Sequence, residues 1–87
     1  MSWVKNMGER TIRGTIVSVM ESWPLQMSLA SGSERVSVAL TEDAEIVRGG
    51  RRVSPGDLSM GQFVRLEGKI TSRDPAAMTV YRIEILN

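Results

Sequence analysis

The chain has 87 residues, with 11 Lys or Arg and 10 Asp or Glu, so its formal net charge is +1. This length supports one domain, and a charge near zero provides no overall field that would attract nucleic acid or an anionic membrane. The absence of cysteine and histidine excludes disulfides, thiolate or imidazole metal sites, and Ser-His or Cys-His nucleophilic pairs.

The N-terminal part of the chain predicts an arm followed by a strand. Residues 1–9 have no sustained hydrophobic period and predict an N-terminal arm or lead-in strand ahead of a domain formed by residues 10–87. Residues 10–20 are rich in β-branched side chains, which is typical of a strand. Gly14 lies inside this strand and the apolar positions change phase after Ile16, which predicts a bulge or a sharp bend.

The middle of the chain predicts a pair of hairpins. Apolar and polar residues alternate over residues 25–30 and 35–40, on either side of a turn at Gly32, which is the pattern of a β-hairpin. Residues 41–43 interrupt the alternation and predict the end of that strand. The adjacent glycines at positions 49 and 50 then predict a second, smaller hairpin.

The stretch after the second hairpin predicts a short helical turn. Ser54 is a favourable N-cap, Pro55 suits the first helical position, and Asp57 can complete a capping box. Gly61 favours the positive φ that ends such a turn, so we expect about six helical residues.

The remaining segments complete an all-β pattern. Residues 62–71 and 77–86 predict strands, and a change of phase at Tyr81-Arg82 predicts a second bulge. Short strands with a turn signal about every ten residues favour a barrel over a sandwich. The predicted fold class is therefore all-β, a small OB-like barrel of roughly five to seven strands with one short helical turn.

Several motifs follow one another in a fixed order between Thr11 and Leu86. They include Gly14-Thr15-Ile16, Ser31-Gly32, Thr41-Glu42-Asp43-Ala44-Glu45-Ile46, Arg48-Gly49-Gly50-Arg51-Arg52, Gly61-Gln62-x-Val64-Arg65-Leu66-Glu67-Gly68 and Arg82-Ile83-Glu84-Ile85. Their order and spacing resemble a bacterial family of domains of unknown function, expected to form small OB-like barrels and often found in exported proteins. The resemblance implies this fold and possible export, and it implies no activity.

A local basic site is the main candidate for binding. Its candidate residues are Arg48, Arg51, Arg52, Arg65, Lys69 and Trp23. The cations flank a glycine turn or project from the outer face of the next strand, where they could position phosphates. The alternative is that they are ordinary solvated charges, partly neutralised by Glu45, Asp57 and Glu67.

Aromatic platforms and metal ligands are less well supported. Trp23, Phe63 and Tyr81 lie on separate segments, and we expect Phe63 to be partly exposed because it is out of phase with its apolar neighbours. The methionines at positions 20, 27, 60 and 78 are better explained by core packing than by a soft-metal site. The carboxylates of residues 42–45 lack EF-hand spacing and predict a turn. We therefore predict no metal and no cofactor.

We expect a non-catalytic binding or interaction module rather than an enzyme. A protein or peptide partner could add a strand to an incompletely closed barrel edge, for which the strand around Ser37 is the candidate. The alternative function is weak, salt-sensitive binding of single-stranded nucleic acid at the basic site. The sequence contains no signal-peptide core and no membrane-spanning run, so we expect a soluble protein with no membrane insertion and an undetermined location.

Overall fold

The computed structural model describes residues 8–20, 22 and 24–87, which form a closed β-barrel. The strands are β1 (Glu9–Met20), β2 (Gln26–Ser31), β3 (Glu34–Arg48), β4 (Arg51–Arg52), β5 (Phe63–Arg73) and β6 (Ala76–Ile85). Their order is β2-β1-β5-β6-β3-β4, and an additional β2–β3 pairing closes the barrel, with β4 attached to the end of β3. A single 3-10 turn, Pro55–Asp57, precedes β5. The predicted all-β, OB-like barrel with one short helical turn is confirmed.

The barrel interior is a single apolar core. Inward side chains alternate with outward ones along the strands, as in Val64 and Leu66 of β5. The largest fully buried side chains are Ile16, Leu29, Ile46, Val64, Leu66, Met78, Val80 and Ile83. No polar or charged side chain is buried among the described residues, so every charged group lies on the outer faces or at the ends of the barrel.

Both predicted bulges are confirmed. The β1–β2 register shifts between Ile16 and Ser18. In β6, Val80 pairs with Gly68 and Arg82 pairs with Glu67, so Tyr81 is the extra residue. Such bulges bend strands and allow five of them to close a narrow barrel.

Two glycines permit close packing of the barrel backbone. A Cβ added at Gly14 would collide with the carbonyl oxygen of Ala30, and one added at Gly68 would collide with the carbonyl oxygen of Thr79. Both positions therefore require a residue without a side chain, because the colliding atoms belong to the backbone of a neighbouring strand.

The predicted strand break at residues 41–43 is wrong. β3 continues to Arg48, and its parallel pairing with β6 resumes at Glu45. Between the pairs Leu40–Val80 and Glu45–Arg82, β3 advances five residues while β6 advances two. The polar residues therefore mark an irregular excursion within a strand, because long-range pairing with β6 resumes beyond it. The Gly49-Gly50 hairpin that follows is confirmed, with Arg48 opposite Arg51.

The helical turn is shorter than the predicted six residues. It spans Pro55–Asp57, and Leu58 is already extended, with φ −81° and ψ 131°. The carboxylate of Asp57 accepts the backbone N–H of Ser54 at 3.0 Å, as the capping motif predicts. The side chain of Leu58 enters the core and is 5% exposed, so this residue closes one end of the barrel.

The described N-terminal boundary differs slightly from the predicted one. Glu9 already belongs to β1, while residues 1–7 of the predicted arm lie outside the described residues. The free edge expected around Ser37 is wrong, because Ser37 pairs with Ser28 of β2 and also with Ala77 of β6.

Candidate binding surfaces at the two ends of the barrel

The barrel has a plugged end and an open end. At the plugged end, where β3 ends and β5 begins, Leu58 fills the core. The open end is formed by the start of β1, the β2–β3 turn and the β5–β6 turn. The predicted basic residues map mainly to the plugged end, whereas an apolar recess lies at the open end.

The arginines of the second hairpin are brought together at the plugged end. Arg48 and Arg51 are Cα partners, and Arg52 follows opposite Val47. All three arginines are exposed. Within the described part of the chain, none of the three forms a salt bridge.

Arg65 belongs to the same outer surface but is already engaged. It lies between Arg13 of β1 and Glu84 of β6 in the register of the sheet. Its Nη2 atom donates to Oε1 of Glu84, and the two side chains are 34% and 30% exposed. Because this partner neutralises its charge locally, Arg65 adds less to a basic site than the three hairpin arginines do.

Lys69 does not join the hairpin arginines. It lies four residues beyond Arg65 on β5, a separation of about 13 Å at the usual rise of a strand. Its neighbour on β1 is Glu9, and both are exposed. Trp23, the remaining predicted site residue, lies outside the described residues.

Phe63 adds an aromatic surface near the arginines. Its side chain is 40% exposed, as the phase of β5 predicts. It is two residues from Arg65 on the same face of the strand, and its Cα partner is Thr15, two residues from Arg13. Tyr81 is similarly exposed, at 42%, but belongs to the β6 bulge.

Arg82 forms a clamp on the outer face that the sequence did not reveal. Its Nε donates to Glu45 at 3.1 Å and its Nη1 donates to Glu67 at 3.2 Å. The hydrogen bond to Glu45 is the main reason that the pKa of Arg82 is raised; partial desolvation opposes it, and the hydrogen bond to Glu67 reinforces it. A raised pKa keeps the guanidinium charged at neutral pH and confines any loss of this contribution to strong alkali.

The first half of β1 is a free strand edge at the open end. The carbonyl of Gly8 accepts the N–H of Ile70 on β5, whereas the carbonyl of Arg13 accepts the hydroxyl of Ser31 at 2.8 Å. Alternate residues of an antiparallel strand direct their backbone groups to opposite sides. The backbone groups of Glu9 and Thr11 therefore point away from β5, and no described strand pairs with them there.

An apolar recess of about 320 Å³ adjoins this edge. Its apolar lining consists of Ile12, Val36, Ile70 and Ala76, which belong to the core or pack against it. Its rim carries Arg10, Arg73 and Glu34 together with serine hydroxyls. The recess is thus an uncovered end of the hydrophobic core, small enough to take one or two side chains rather than a large cofactor.

The methionine prediction is only partly correct. Met27 and Met78 are buried in the core, but Met20 and Met60 are 62% and 74% exposed. Among the described residues, no group of three or more acidic side chains is placed to hold a metal ion. No helix formed by those residues is both long and apolar enough to cross a membrane.

A comparison with known proteins finds no protein-family model that matches the chain and no curated protein that matches it.

Proposed function

We propose that this protein is a non-catalytic binding module whose ligand is an extended peptide segment of a partner protein. The observation that carries the proposal is that β1 pairs on one side only over residues 9–13, beside an uncovered apolar recess. An added strand would satisfy the free backbone groups and cover the recess at the same time.

The length and exposure of the edge suit a short strand. Residues 9–13 extend over about 17 Å at the usual rise, enough for a segment of about five residues. Glu9, Thr11 and Arg13 are exposed, so a partner could approach their backbone groups directly. Main-chain hydrogen bonds would supply affinity, and the recess would select one side chain of the partner.

The charged groups of the barrel support a binding role over a catalytic one. Glu45 and Glu67 are bound by Arg82, Glu84 is bound by Arg65, and Asp57 caps the 3-10 turn. These carboxylates stabilise the fold through their contacts. The chain also has no histidine or cysteine that could act as base or nucleophile beside them.

The test of strand addition is a proline at Thr11. Its N–H points away from β5, so Thr11→Pro removes a donor from the free edge without removing a ladder hydrogen bond. The matched control, Thr11→Val, keeps the N–H. We expect peptides selected on the full chain to lose at least tenfold in affinity with Thr11→Pro and to keep their affinity with Thr11→Val, measured by fluorescence anisotropy.

Two outcomes would contradict strand addition. Unchanged peptide binding by a folded Thr11→Pro variant, with a native circular-dichroism spectrum, would place the ligand elsewhere. Binding that appears only after residues 1–7 are removed would make the chain's own N-terminal segment the occupant of the edge.

A second candidate function is weak binding of single-stranded nucleic acid at the plugged end. The favouring observation is that Arg48, Arg51 and Arg52 are exposed on one hairpin, without an ion-pair partner among the described residues. Phe63, on the same end of the barrel, would offer a face on which a base could stack.

Salt dependence tests this second function. If the three hairpin arginines each contact a phosphate, affinity for a labelled single-stranded oligonucleotide should fall about twentyfold between about 50 and 200 mM salt. The double variant R51E/R52E should abolish binding, whereas the control R35E/R73E, with the same change in net charge, should retain it. Equal losses in both variants would indicate a nonspecific charge effect and contradict a hairpin site.

A further inference from the structure

We propose that the open end recognises an extended segment carrying an apolar side chain and, two residues away, a carboxylate side chain. This inference rests on the proposed strand addition and specifies its partner. The apolar side chain would fill the recess, and Arg10 and Arg73 would bind the carboxylate.

The position of the apolar anchor follows from the phase of β1. Ile12 faces the recess, together with Val36 and Ile70 from the walls opposite. In a strand paired with β1, the residue opposite Ile12 faces the same side of the sheet, and its immediate neighbours face the other side. One partner side chain would therefore enter the recess, where it would cover core surface that is now accessible.

The position of the carboxylate follows from the next inward site on β1. Arg10 is two residues from Ile12 and, like it, lines the recess; Arg73 lines the recess from the end of β5. Neither arginine forms a salt bridge with any described residue. Arg10 only donates a hydrogen bond from Nη1 to the carbonyl of Glu9, at 3.0 Å. A partner residue two positions from the anchor would face these guanidinium groups, which favour bidentate contact with a carboxylate.

Glu34 restricts where an acidic residue can lie. It is exposed on the β3 wall of the recess, next to the β2–β3 turn. Its negative charge opposes a carboxylate on that side, while Arg10 and Arg73 attract one on the other side. The rim therefore favours one placement of the acidic residue relative to the apolar anchor.

A displayed library of random heptapeptides, with both ends of each peptide joined to linkers, tests the inference on the full chain. We expect enriched peptides to carry an apolar residue and an Asp or Glu two positions apart. An R10E/R73E variant should instead enrich Lys or Arg at the second position. Labelled synthetic copies should bind R73E at least tenfold more weakly than wild type and bind the control R35E, outside the recess, as well as wild type.

The outcomes separate this inference from the proposed function. Enriched peptides that lack an acidic residue, or that bind R73E and wild type equally, would overturn the carboxylate preference. Strand addition would still stand if those same peptides lost affinity with Thr11→Pro. Peptides unaffected by Thr11→Pro, or a library that yields no binder, would overturn strand addition and this inference with it.

Discussion

The plugged end and the open end of this barrel treat the same hydrophobic core differently. At the plugged end the chain supplies its own cover, since Leu58 is 5% exposed within the core. At the open end Ile12, Ile70 and Ala76 pack against the core but remain partly exposed. Because uncovered apolar surface costs stability, an end that the described chain leaves open is the better place to expect a ligand.

The two ends also differ in how they hold their charges. Near the plugged end, Arg65 is paired with Glu84, and the clamp of Arg82 lies on the same outer face. At the open end, Arg10 and Arg73 have no acidic partner among the described residues. Ion pairs already formed on a surface contribute to the fold, whereas cations beside an apolar recess remain available to a ligand.

The largest expected effect is the removal of the plug. Leu58→Ala should lower the free energy of unfolding by about 2 to 5 kcal/mol, because it leaves a cavity in the closed end of the core. Ile12→Ala, at the open end, should cost only about 1 kcal/mol, since this side chain is already partly exposed. Urea denaturation with an unchanged m value would measure both differences.

The comparison of these variants decides whether the ends differ in packing. If Ile12→Ala cost as much as Leu58→Ala, the open end would be as tightly packed as the plugged end. The argument for a recess would then fail, whatever the result of the peptide experiments.

Much of the fold follows from local sequence signals. The alternation in β5, the glycine turns of the hairpins and the phase changes in β1 and β6 each report on neighbouring residues, and they predict an all-β barrel. The cap formed by Ser54 and Asp57 was likewise predicted. The length of the helical turn was not, because Leu58 leaves the helical path to reach a core assembled from distant strands.

The sites depend on contacts that local signals do not encode. Arg10 and Arg73 are 63 positions apart, and only the pairing of β1 with β5 and the turn into β6 bring them to one recess. The same limit explains the mistaken edge at Ser37, whose pairing on both sides requires β6 to lie parallel to β3. Only the three hairpin arginines, close in sequence, could be grouped correctly in advance.

The smallest expected effect on stability is also the most direct test of the open end. Ala76 lines the recess, and the substitution Ala76→Leu would place a larger apolar side chain in open space. We expect the free energy of unfolding to stay the same or rise by up to about 1 kcal/mol, because the added methylene groups cover core surface without overpacking it. Peptide binding should nevertheless fall at least tenfold, since the added side chain occupies the place of the partner's anchor.

Ala77→Leu is the matched control for this substitution. Ala77 is the next residue of β6 and pairs with Ser37 and Ser72 on the outer face, so a leucine there adds the same apolar volume outside the recess. It should leave peptide affinity unchanged. If both variants bound peptide like the wild type, the open end would not be the binding site, because filling it would cost the ligand nothing. If Ala76→Leu alone abolished binding while the fold became no less stable, the uncovered core of the open end would be a ligand site rather than a packing defect.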